Sequence, residues 1–294
     1  MVKVKAASVN SWDWDMLTGK PYLYRLLFGL FKPKLKILGA DVSGVVEAVG
    51  NNVTQFKKGD EIMGDISSET WGGFAEYVCA HEKYWVLKPA SITHEQAAAI
   101  PQAGTLALQG LHSRDGIKRG QKVLINGAGG GAGTFAVQLA KLYGAEVTAV
   151  DHSSKLDLLK SLGADHLIDY TRENYTENGQ RYDRILDFVA SQSVWKYKDS
   201  LTENGVFVLV GGKITTILQV ACLGALVVWK SNKKIGLLVW QPLTQDIAYL
   251  NQLFTEEKLT TVIHKTYTLA ETPQALWEMG QGKVKGKAVV VIQN

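Results

Sequence analysis

The chain has 294 residues, and cysteine is scarce among them. Its two cysteines, Cys79 and Cys222, lie far apart, form no C-x-x-C pair and have no neighbouring histidine cluster. This scarcity excludes a disulfide framework and a cysteine-rich zinc site. The first residues, MVKVKAASVN, lack the basic segment and apolar core of a secretory signal, so a reducing, cytoplasmic setting is expected.

Strong charge and long apolar runs are also missing. Lys and Arg number 32 against 28 Asp and Glu, a net charge of +4, and the basic residues are mostly scattered, so nucleic acid is not expected as a partner. The longest nearly apolar run, 214–229, falls short of the ~20 residues that span a bilayer. It is interpreted as a buried helix. Peripheral membrane contact through the basic cluster that follows it, Lys230, Lys233 and Lys234, is left open.

The composition, 46% hydrophobic and 20% charged, is that of a globular chain, and its length suggests two domains. Short Val- and Ile-rich runs separated by glycine predict antiparallel β structure over residues 1–90. From Lys122 onward, apolar strands alternate with helices, which predicts a doubly wound parallel sheet. The last strands resemble the β-rich beginning more than the middle of the chain.

The segment VLINGAGGGAGTFAVQLAKLYGAEVTAVD carries the most chemical information. A buried strand leads into a glycine-rich turn and at once into a helix, whose first-turn amides and dipole favour an anion. Strand, glycine loop, helix, second strand and a terminal acid together indicate a dinucleotide site, whereas no Gly-Lys-Ser/Thr of a P-loop follows. The residues predicted to contact the pyrophosphate are Ala128, Gly129, Gly130, Gly131, Ala132 and Gly133.

The residues after the second strand give conflicting signals about the dinucleotide. Asp151 stands where a carboxylate accepts hydrogen bonds from an adenosine ribose, which favours NADH. Ser153, Ser154 and Lys155 are able to bind a ribose 2′-phosphate, which favours NADPH. Helix capping is an equally good interpretation of the two serines.

Several motifs resemble the medium-chain dehydrogenase/reductase superfamily and its zinc-independent quinone oxidoreductase branch, in particular the group of reticulon-4-interacting proteins and chloroplast envelope quinone oxidoreductase homologues. They are AASVN, GADVSGVVEAVGNNVTQFKKGDEIMG, GGFAEYV, LKSLGADHLIDY and GKVKGKAVVVI, in order along the chain. The resemblance implies an α/β fold with bound NAD(P)H. A GroES-like, β-rich catalytic domain, residues 1–101 and 243–294, is closed by the C-terminal segment, and a Rossmann domain, residues 102–242, is inserted in it. In zinc-dependent relatives a Cys ligand stands at Asn10 and a His at Ala40, so the resemblance also implies no zinc.

The resemblance assigns roles to further residues. Asn10 is expected beside the nicotinamide and the substrate carbonyl, and Asp13 matches a neighbouring acid. Lys155 and Tyr170 match residues that contact the 2′-phosphate, which favours NADPH, although Asp151 departs from the usual small neutral residue. Val210, Gly211 and Gly212 match the stretch that runs past the nicotinamide in these relatives. Lys287 is expected to contact the pyrophosphate. The aromatic residues that either line an apolar substrate site or simply pack are Trp12, Trp14, Tyr22 and Tyr24.

The expected activity is hydride transfer from NAD(P)H to a quinone or an α,β-unsaturated carbonyl, with Asn10 as hydrogen-bond donor. Two alternatives stay open: a zinc-type alcohol dehydrogenase, and a nucleotide-binding protein without turnover. Relatives have about thirty residues forming a β hairpin before the segment VKVKAASVN; either the start is internal to a longer product or the domain is reduced, and an exposed sheet edge is expected there. The resemblance further implies a homodimer.

Overall fold

The computed structural model describes residues 1–20, 22, 25, 29–32, 34–113 and 116–292. The chain divides into two compact units. Unit 1 comprises Met1–Thr105 and Pro242–Asn294, and unit 2 comprises Leu106–Gln241. Tyr24, one of the aromatic residues considered for a substrate site, lies outside the described residues.

Unit 1 contains a mostly antiparallel sheet. Its strands are β1 (Val2–Val9), β2 (Asp41–Val46), β3 (Glu61–Asp65), β4 (Tyr77–Val78), β5 (Trp85–Leu87), β12 (Ile263–Thr268) and β13 (Lys287–Val291). The strand order is β12-β13-β1-β2-β3-β5, and β4 also pairs with β1. Only the β12–β13 pairing is parallel among these described strands. Because β1 pairs with β13, β2 and β4, it lies inside the sheet, and the end strands of the described order are β12 and β5.

Short helices cover this sheet. They are α1 (Ser11–Thr18), α2 (His94–Ala98), the first part of α3 (Pro101–His112), α8 (Thr244–Thr255) and α9 (Thr272–Gly280). The main core joins strand residues such as Val4, Val42 and Ile62 with Leu276 of α9. Burial of this apolar surface is the main stabilising contribution to the unit.

Unit 2 is built on a parallel sheet. Its strands are β6 (Lys122–Asn126), β7 (Glu146–Asp151), β8 (His166–Asp169), β9 (Tyr182–Asp187), β10 (Leu201–Leu209) and β11 (Lys234–Leu237). The order is β11-β10-β9-β6-β7-β8, so the chain begins in the middle of the sheet and reverses direction between β6 and β9. This is the strand order of the Rossmann fold, whose ligands bind beyond the carboxyl ends of the strands at the reversal point. The predicted α/β fold class is confirmed in both units.

Four helices alternate with these strands: α4 (Gly131–Leu142), α5 (Ser153–Ser161), α6 (Val194–Asp199) and α7 (Ile214–Val227). α4 is buried along most of its length, which explains its almost wholly apolar sequence. The prediction that 214–229 is a buried helix is wrong for one face. Leu226 and Trp229 are exposed, whereas Val220 and Gly224 are buried.

The capping interpretation of Ser153 and Ser154 is corrected. The N-cap of α5 is His152, whose Nδ1 accepts a hydrogen bond from the backbone N–H of Ser154, so the serines do not cap it. The difference is a shift of one or two residues, within the usual uncertainty of a helix end.

Candidate functional site

The glycine loop between β6 and α4 adopts the turn that its sequence predicts. Gly127 has a φ of +80°, a left-handed conformation that glycine adopts without strain. A Cβ atom on Gly133 would lie 2.3 Å from the carbonyl oxygen of Gly127 and 2.5 Å from that of Ala128. Helix and turn are therefore in close backbone contact. A Cβ on Gly130 would lie 3.4 Å from its nearest neighbour, the Gly127 oxygen, so space remains above that residue.

The six predicted pyrophosphate residues divide into two groups. Ala128, Gly129 and Gly133 are buried, and they let the turn pack against the sheet. Gly130, Gly131 and Ala132 are half-buried and lie at the start of α4, where Gly130 is the N-cap. A glycine N-cap has no side chain that competes for the first-turn amides, so these amides and the helix dipole are available to an anion. The residues present therefore fit the pyrophosphate of a dinucleotide.

Asp151, Lys155 and Tyr170 are brought together beside this loop. The Asp151 carboxylate accepts hydrogen bonds from the backbone N–H groups of Gly129, at 2.7 Å, and His152, at 2.8 Å. The Lys155 ammonium lies 3.6 Å from the same carboxylate. Asp151 is buried and engaged on both oxygens, so these donors and the Lys155 ammonium partly offset its negative charge.

Exposed groups surround this pair. Ser153 and Tyr170 are exposed, and the Tyr170 backbone N–H donates to the backbone oxygen of Asp151 at 3.2 Å. The ring of Tyr170 lies 6.1 Å from that of His152. The hydroxyl-bearing residues Ser153 and Tyr170 and the Lys155 ammonium thus lie next to Asp151. This is the place at which the sequence predicts a 2′-phosphate.

Val210, Gly211 and Gly212 follow β10 at the carboxyl edge of the sheet. A Cβ on Gly211 would lie 2.8 Å from the Phe188 oxygen, and one on Gly212 would lie 2.2 Å from the Ala190 oxygen. Close backbone packing therefore explains both glycines. Their place at the carboxyl edge also agrees with a ligand at that edge.

A buried polar network beneath this edge was missed from the sequence. Asp187 is fully buried at the end of β9 and accepts hydrogen bonds from the side chains of Asn126, at 2.9 Å, and Tyr175, at 3.0 Å. Asp187 also accepts a third hydrogen bond, from the backbone N–H of Val189 at 3.0 Å. Burial raises the pKa of Asp187 to about 6. The only sequence signal was an acid ending a strand, the same signal that marked Asp151.

Unit 1 holds a second polar cluster, around Asn10. The Asn10 side chain is 6% exposed, and its amide nitrogen donates to Oδ2 of Asp41 at 3.0 Å. Its amide oxygen accepts a hydrogen bond from the Lys287 ammonium. Asp41 also accepts from the Ser8 hydroxyl at 3.1 Å and from the Gln102 backbone at 3.1 Å. The carboxamide of Asn10 is thus held in one orientation from both ends.

The structure places Lys287 differently from the prediction. Lys287 is only 2% exposed, and its ammonium is engaged by Asn10 and by Asp41, 3.4 Å away. An ammonium so enclosed is not free to contact a pyrophosphate, so its contacts argue for positioning Asn10 instead. Burial lowers the pKa of Lys287, and Asp41 opposes that shift.

Both carboxylate oxygens of Asp13 are occupied by backbone hydrogen bonds. Its carboxylate accepts from the backbone N–H groups of Asn10 and Gly39, both at 2.8 Å. It therefore fixes the start of α1 against the turn before β2, and these contacts favour a capping role over a catalytic one. Burial raises the pKa of Asp13 to about 7.

Asp65 adds a further buried carboxylate, aligned with Asp41 on the neighbouring strand. One oxygen accepts from the Ser67 backbone at 2.8 Å, whereas Oδ2 has no partner among the described residues. Burial and the charge of Asp41 raise the pKa of Asp65 to about 7. Burial likewise raises the pKa of Asp41, and Lys287 opposes that shift. Sequence reasoning missed both acids, because Asp41 begins β2 and Asp65 ends β3, where acidic residues are common and their burial depends on the paired strand.

No group of three or more His, Cys, Asp or Glu side chains among the described residues is placed to hold a metal ion. Ala40 is buried beside Asp41 and has only a methyl group to offer. Trp12 and Tyr22 are exposed, and Trp14 packs against the core of unit 1. Packing is therefore the role the structure supports for Trp14.

Two sequence families match the chain. Residues 1–90 match the alcohol dehydrogenase GroES-like domain, and residues 162–290 match the zinc-binding dehydrogenase family. The quinone-oxidoreductase QR1, chloroplastic, of Triphysaria versicolor is 34% identical over 99% of this chain and 88% of its own length. The 2-methylene-furan-3-one reductase of Solanum lycopersicum is 36% identical over 73% of this chain and 55% of its own length.

A solved structure agrees with these relatives. The quinone oxidoreductase from Coxiella burnetii superposes with a TM-score of 0.88 at 31% identity, covering 99% of this chain and 90% of that one. The chain therefore belongs to the medium-chain dehydrogenase/reductase superfamily, in its quinone oxidoreductase branch. It is an oxidoreductase that uses a nicotinamide cofactor. No helix within the described ranges is long and apolar enough to cross a membrane. The name of the Triphysaria relative places that protein in the chloroplast, and a cytoplasmic setting for this chain stays a prediction.

Proposed function

We propose that this chain is an NAD(P)H-dependent, zinc-independent reductase that transfers hydride to a quinone or an α,β-unsaturated carbonyl compound. The observation that carries the proposal is the Asn10 carboxamide, buried and fixed between Lys287 and Asp41. Two relatives support the substrate class by name: one is a quinone oxidoreductase, and the other reduces a furanone with an exocyclic double bond conjugated to its carbonyl.

The fixed carboxamide is suited to stabilise charge on a carbonyl oxygen. An amide nitrogen carries two hydrogens, and Asn10 gives one of them to Asp41. The second is the hydrogen we assign to the substrate carbonyl. Negative charge builds on that oxygen as hydride adds, so a donor already held in place stabilises the transition state more than the ground state. Solvent or a substrate hydroxyl supplies the proton.

The glycine loop supports a dinucleotide cofactor. The first-turn amides of Gly131 and Ala132 would hold the pyrophosphate. When bound, the reduced nicotinamide supplies the hydride. We favour NADPH over NADH because the Asp151 carboxylate is already bound by Lys155 and two backbone amides, which weakens its repulsion of a 2′-phosphate.

Zinc independence rests on the donor set. An uncharged carboxamide at Asn10 and a methyl group at Ala40 replace residue types that bind zinc. A zinc-type alcohol dehydrogenase would contain stoichiometric zinc and lose activity with a chelator. A nucleotide-binding protein without turnover would bind the cofactor yet oxidise it with no acceptor.

The test is cofactor oxidation with purified, metal-analysed protein against a panel of quinones and enones. We expect Asn10→Ala to lower kcat/KM about 100-fold while the cofactor Kd is unchanged. Asn251→Ala is the matched control, because Asn251 is an equally buried asparagine of unit 1 whose side chain donates to the Leu87 backbone instead. Full activity in Asn10→Ala, or no oxidation with any acceptor, would refute the proposal.

A homodimer also remains a proposal. β11 is an edge strand, with β10 as its neighbour in the described part of the chain. A second copy would satisfy the open backbone groups of β11 by strand pairing. Sedimentation equilibrium distinguishes this dimer from a monomer.

A further inference from the structure

One face of α7 is an exposed apolar stripe. Leu218, Cys222, Leu226 and Trp229 follow one another at helical spacing, and Leu226 and Trp229 are 59% and 71% exposed. The opposite face, which includes Gly224, packs against β11, where the Ile235 oxygen is 3.2 Å from an ideal Cβ on that glycine. α7 is therefore apolar on both sides, and only one side is used inside unit 2. We call the exposed side the α7 stripe.

Cations lie at both ends of the α7 stripe. Lys213 precedes the helix and Lys230 follows it, and both are exposed. Lys233 and Lys234 also follow the helix, but both are half-buried, and the Lys233 ammonium donates to the Lys198 backbone oxygen at 2.8 Å. The sequence has no Asp or Glu between Glu203 and Asp246. The surface thus combines exposed apolar side chains with two exposed cations, Lys213 and Lys230, one at each end of the stripe.

We propose that the α7 stripe docks this protein on an anionic lipid surface. A helix whose apolar face is flanked by lysines inserts at the level of the headgroups, and the lysines contact lipid phosphates. The Trp229 ring is suited to that depth because it is apolar and carries one N–H donor. At 14 residues, α7 is about 21 Å long, which is short of a bilayer core of roughly 30 Å, so it would lie in the surface.

Charge favours lipid over a second copy at this face. In a two-fold dimer, antiparallel packing of the two α7 stripes would place Lys213 of one protomer against Lys230 of its partner. Like charges would then meet at both ends of the contact, with no acid from the segment to separate them. An anionic headgroup layer supplies the opposite charge along the whole stripe.

The two cysteines provide a direct test, since both are exposed and only Cys222 lies on the stripe. An environment-sensitive fluorophore is attached to Cys222 in Cys79→Ser, and to Cys79 in Cys222→Ser as the matched control. Each full-length protein is mixed with vesicles of phosphatidylcholine alone or with an equimolar mixture of phosphatidylcholine and phosphatidylglycerol. We expect a blue shift only for the label on Cys222, and only with the anionic vesicles.

Flotation of unlabelled protein tests which side chains carry the binding. We expect about tenfold weaker binding to the anionic vesicles for Trp229→Gln, and a similar loss for Lys213→Gln combined with Lys230→Gln. Trp277→Gln is the control, because Trp277 is also exposed but belongs to α9 of unit 1. No binding, equal binding to both vesicle types, equal shifts at the two cysteines, or a dimer abolished by Trp229→Gln would overturn the proposal.

Discussion

One buried lysine, Lys287, helps to fix the orientation of the Asn10 carboxamide. The Lys287 ammonium binds the amide oxygen, which turns the amide nitrogen toward Asp41 and fixes its remaining hydrogen. Lys287 is therefore a positioning residue, and its removal should act through Asn10. We expect Lys287→Met to lower kcat about tenfold with little change in KM, and to have no further effect when combined with Asn10→Ala.

The measurement is a double-mutant cycle: kcat is determined for the parent, Lys287→Met, Asn10→Ala and the double variant. Removing the cation alone leaves Asp41 buried without its counter-charge, which is strongly destabilising. Lys287→Met is therefore also made together with Asp41→Asn, which removes both charges. If the effects of Lys287→Met and Asn10→Ala simply multiply, Lys287 does not work through Asn10.

Asp65 makes stability depend on pH. Its pKa is raised from 3.8 to about 7 in the folded state, so between those values the folded protein holds a proton that the unfolded chain has lost. The contribution of Asp65 to stability therefore falls as pH rises from 4 to 7. We expect Asp65→Asn, which does not titrate, to gain up to about 4 kcal/mol in unfolding free energy relative to the parent between pH 4 and pH 8, since a pKa difference of one corresponds to about 1.4 kcal/mol.

Urea unfolding at both pH values measures this difference. Asp199→Asn is the control for loss of a charge, because Asp199 is exposed. The explanation fails if the difference between Asp65→Asn and the parent is the same at pH 4 and pH 8.

At the residue scale, the sequence predicted the groups whose partners are local. Strand and helix spacing predicted that the glycine loop joins a strand to a helix and that Asp151 ends the next strand, and the structure has both features. The partner of Asn10 is Lys287, which is 277 positions away. Burial of a charged side chain depends on such distant partners, and no local pattern reports it.

Arg184 shows the same limit. It is 2% exposed, and its guanidinium donates to the carbonyl oxygens of Gly110, Ser113 and Gly116 at 2.9–3.2 Å. It thereby satisfies carbonyl groups at and beyond the end of α3, which have no helical partners of their own. An arginine in a strand reads from sequence as an exposed residue, so this role was not predictable.

At the scale of elements, the loop between β6 and α4 separates two uses of glycine. Gly133 allows close backbone contact, whereas Gly130 faces open space at the helix start. We expect Gly133→Ala to lower the unfolding free energy by about 3 kcal/mol, because its Cβ would overlap two carbonyl oxygens. Gly130→Ala should change stability by less than about 1 kcal/mol and yet weaken cofactor binding about tenfold or more.

Thermal unfolding and cofactor titration of the two variants test this contrast. Each variant serves as the control for the other, because the same methyl group is added three residues apart. Equal effects on stability, or unimpaired binding in Gly130→Ala, would show that the space above Gly130 is not the pyrophosphate site.

Helices and strands were predicted where one face is apolar and the other polar, and the prediction was less complete where both faces are apolar. The apolar run 214–229 located α7 but could not say which side of it is buried, because Val220 on the inner face and Leu226 on the outer face look alike in sequence. The inner face is buried because it packs against β11, and such a tertiary contact cannot be deduced from the helix sequence alone. The exposed face is the part of the element that the sequence could not reveal.

At the scale of the whole molecule, each unit has its own core and its own polar site. The C-terminal strand β13 pairs with β1, so the last residues of the chain complete the sheet that its first residues begin. Propensity alone predicted strands at both ends, and the family resemblance predicted that they share a domain. The pairing register and the partner of Lys287 follow only from the folded sheet.

Cofactor binding links unit 2 to the stability of the protein. A ligand that binds only the folded state adds RT ln(1 + [L]/Kd), about 2.7 kcal/mol at a hundred times Kd, so NADPH and NADH should both raise the Tm. Asp151→Ser removes a negative charge beside the proposed phosphate site but also an acceptor for the Gly129 N–H. The loss of the acceptor for Gly129 affects both cofactors alike, so the ratio of their Kd values reports what the Asp151 carboxylate does at the ribose.

We expect Asp151→Ser to shift this ratio about fivefold toward NADPH, as removal of one unit charge near a phosphate in water would do. Titrations of both cofactors into the parent and the variant measure it. Asp157→Ser removes an exposed acid from the same helix region, α5, and should leave the ratio unchanged. If Asp151→Ser leaves the ratio unchanged or moves it toward NADH, Asp151 does not face the ribose, and its role is confined to holding the glycine loop.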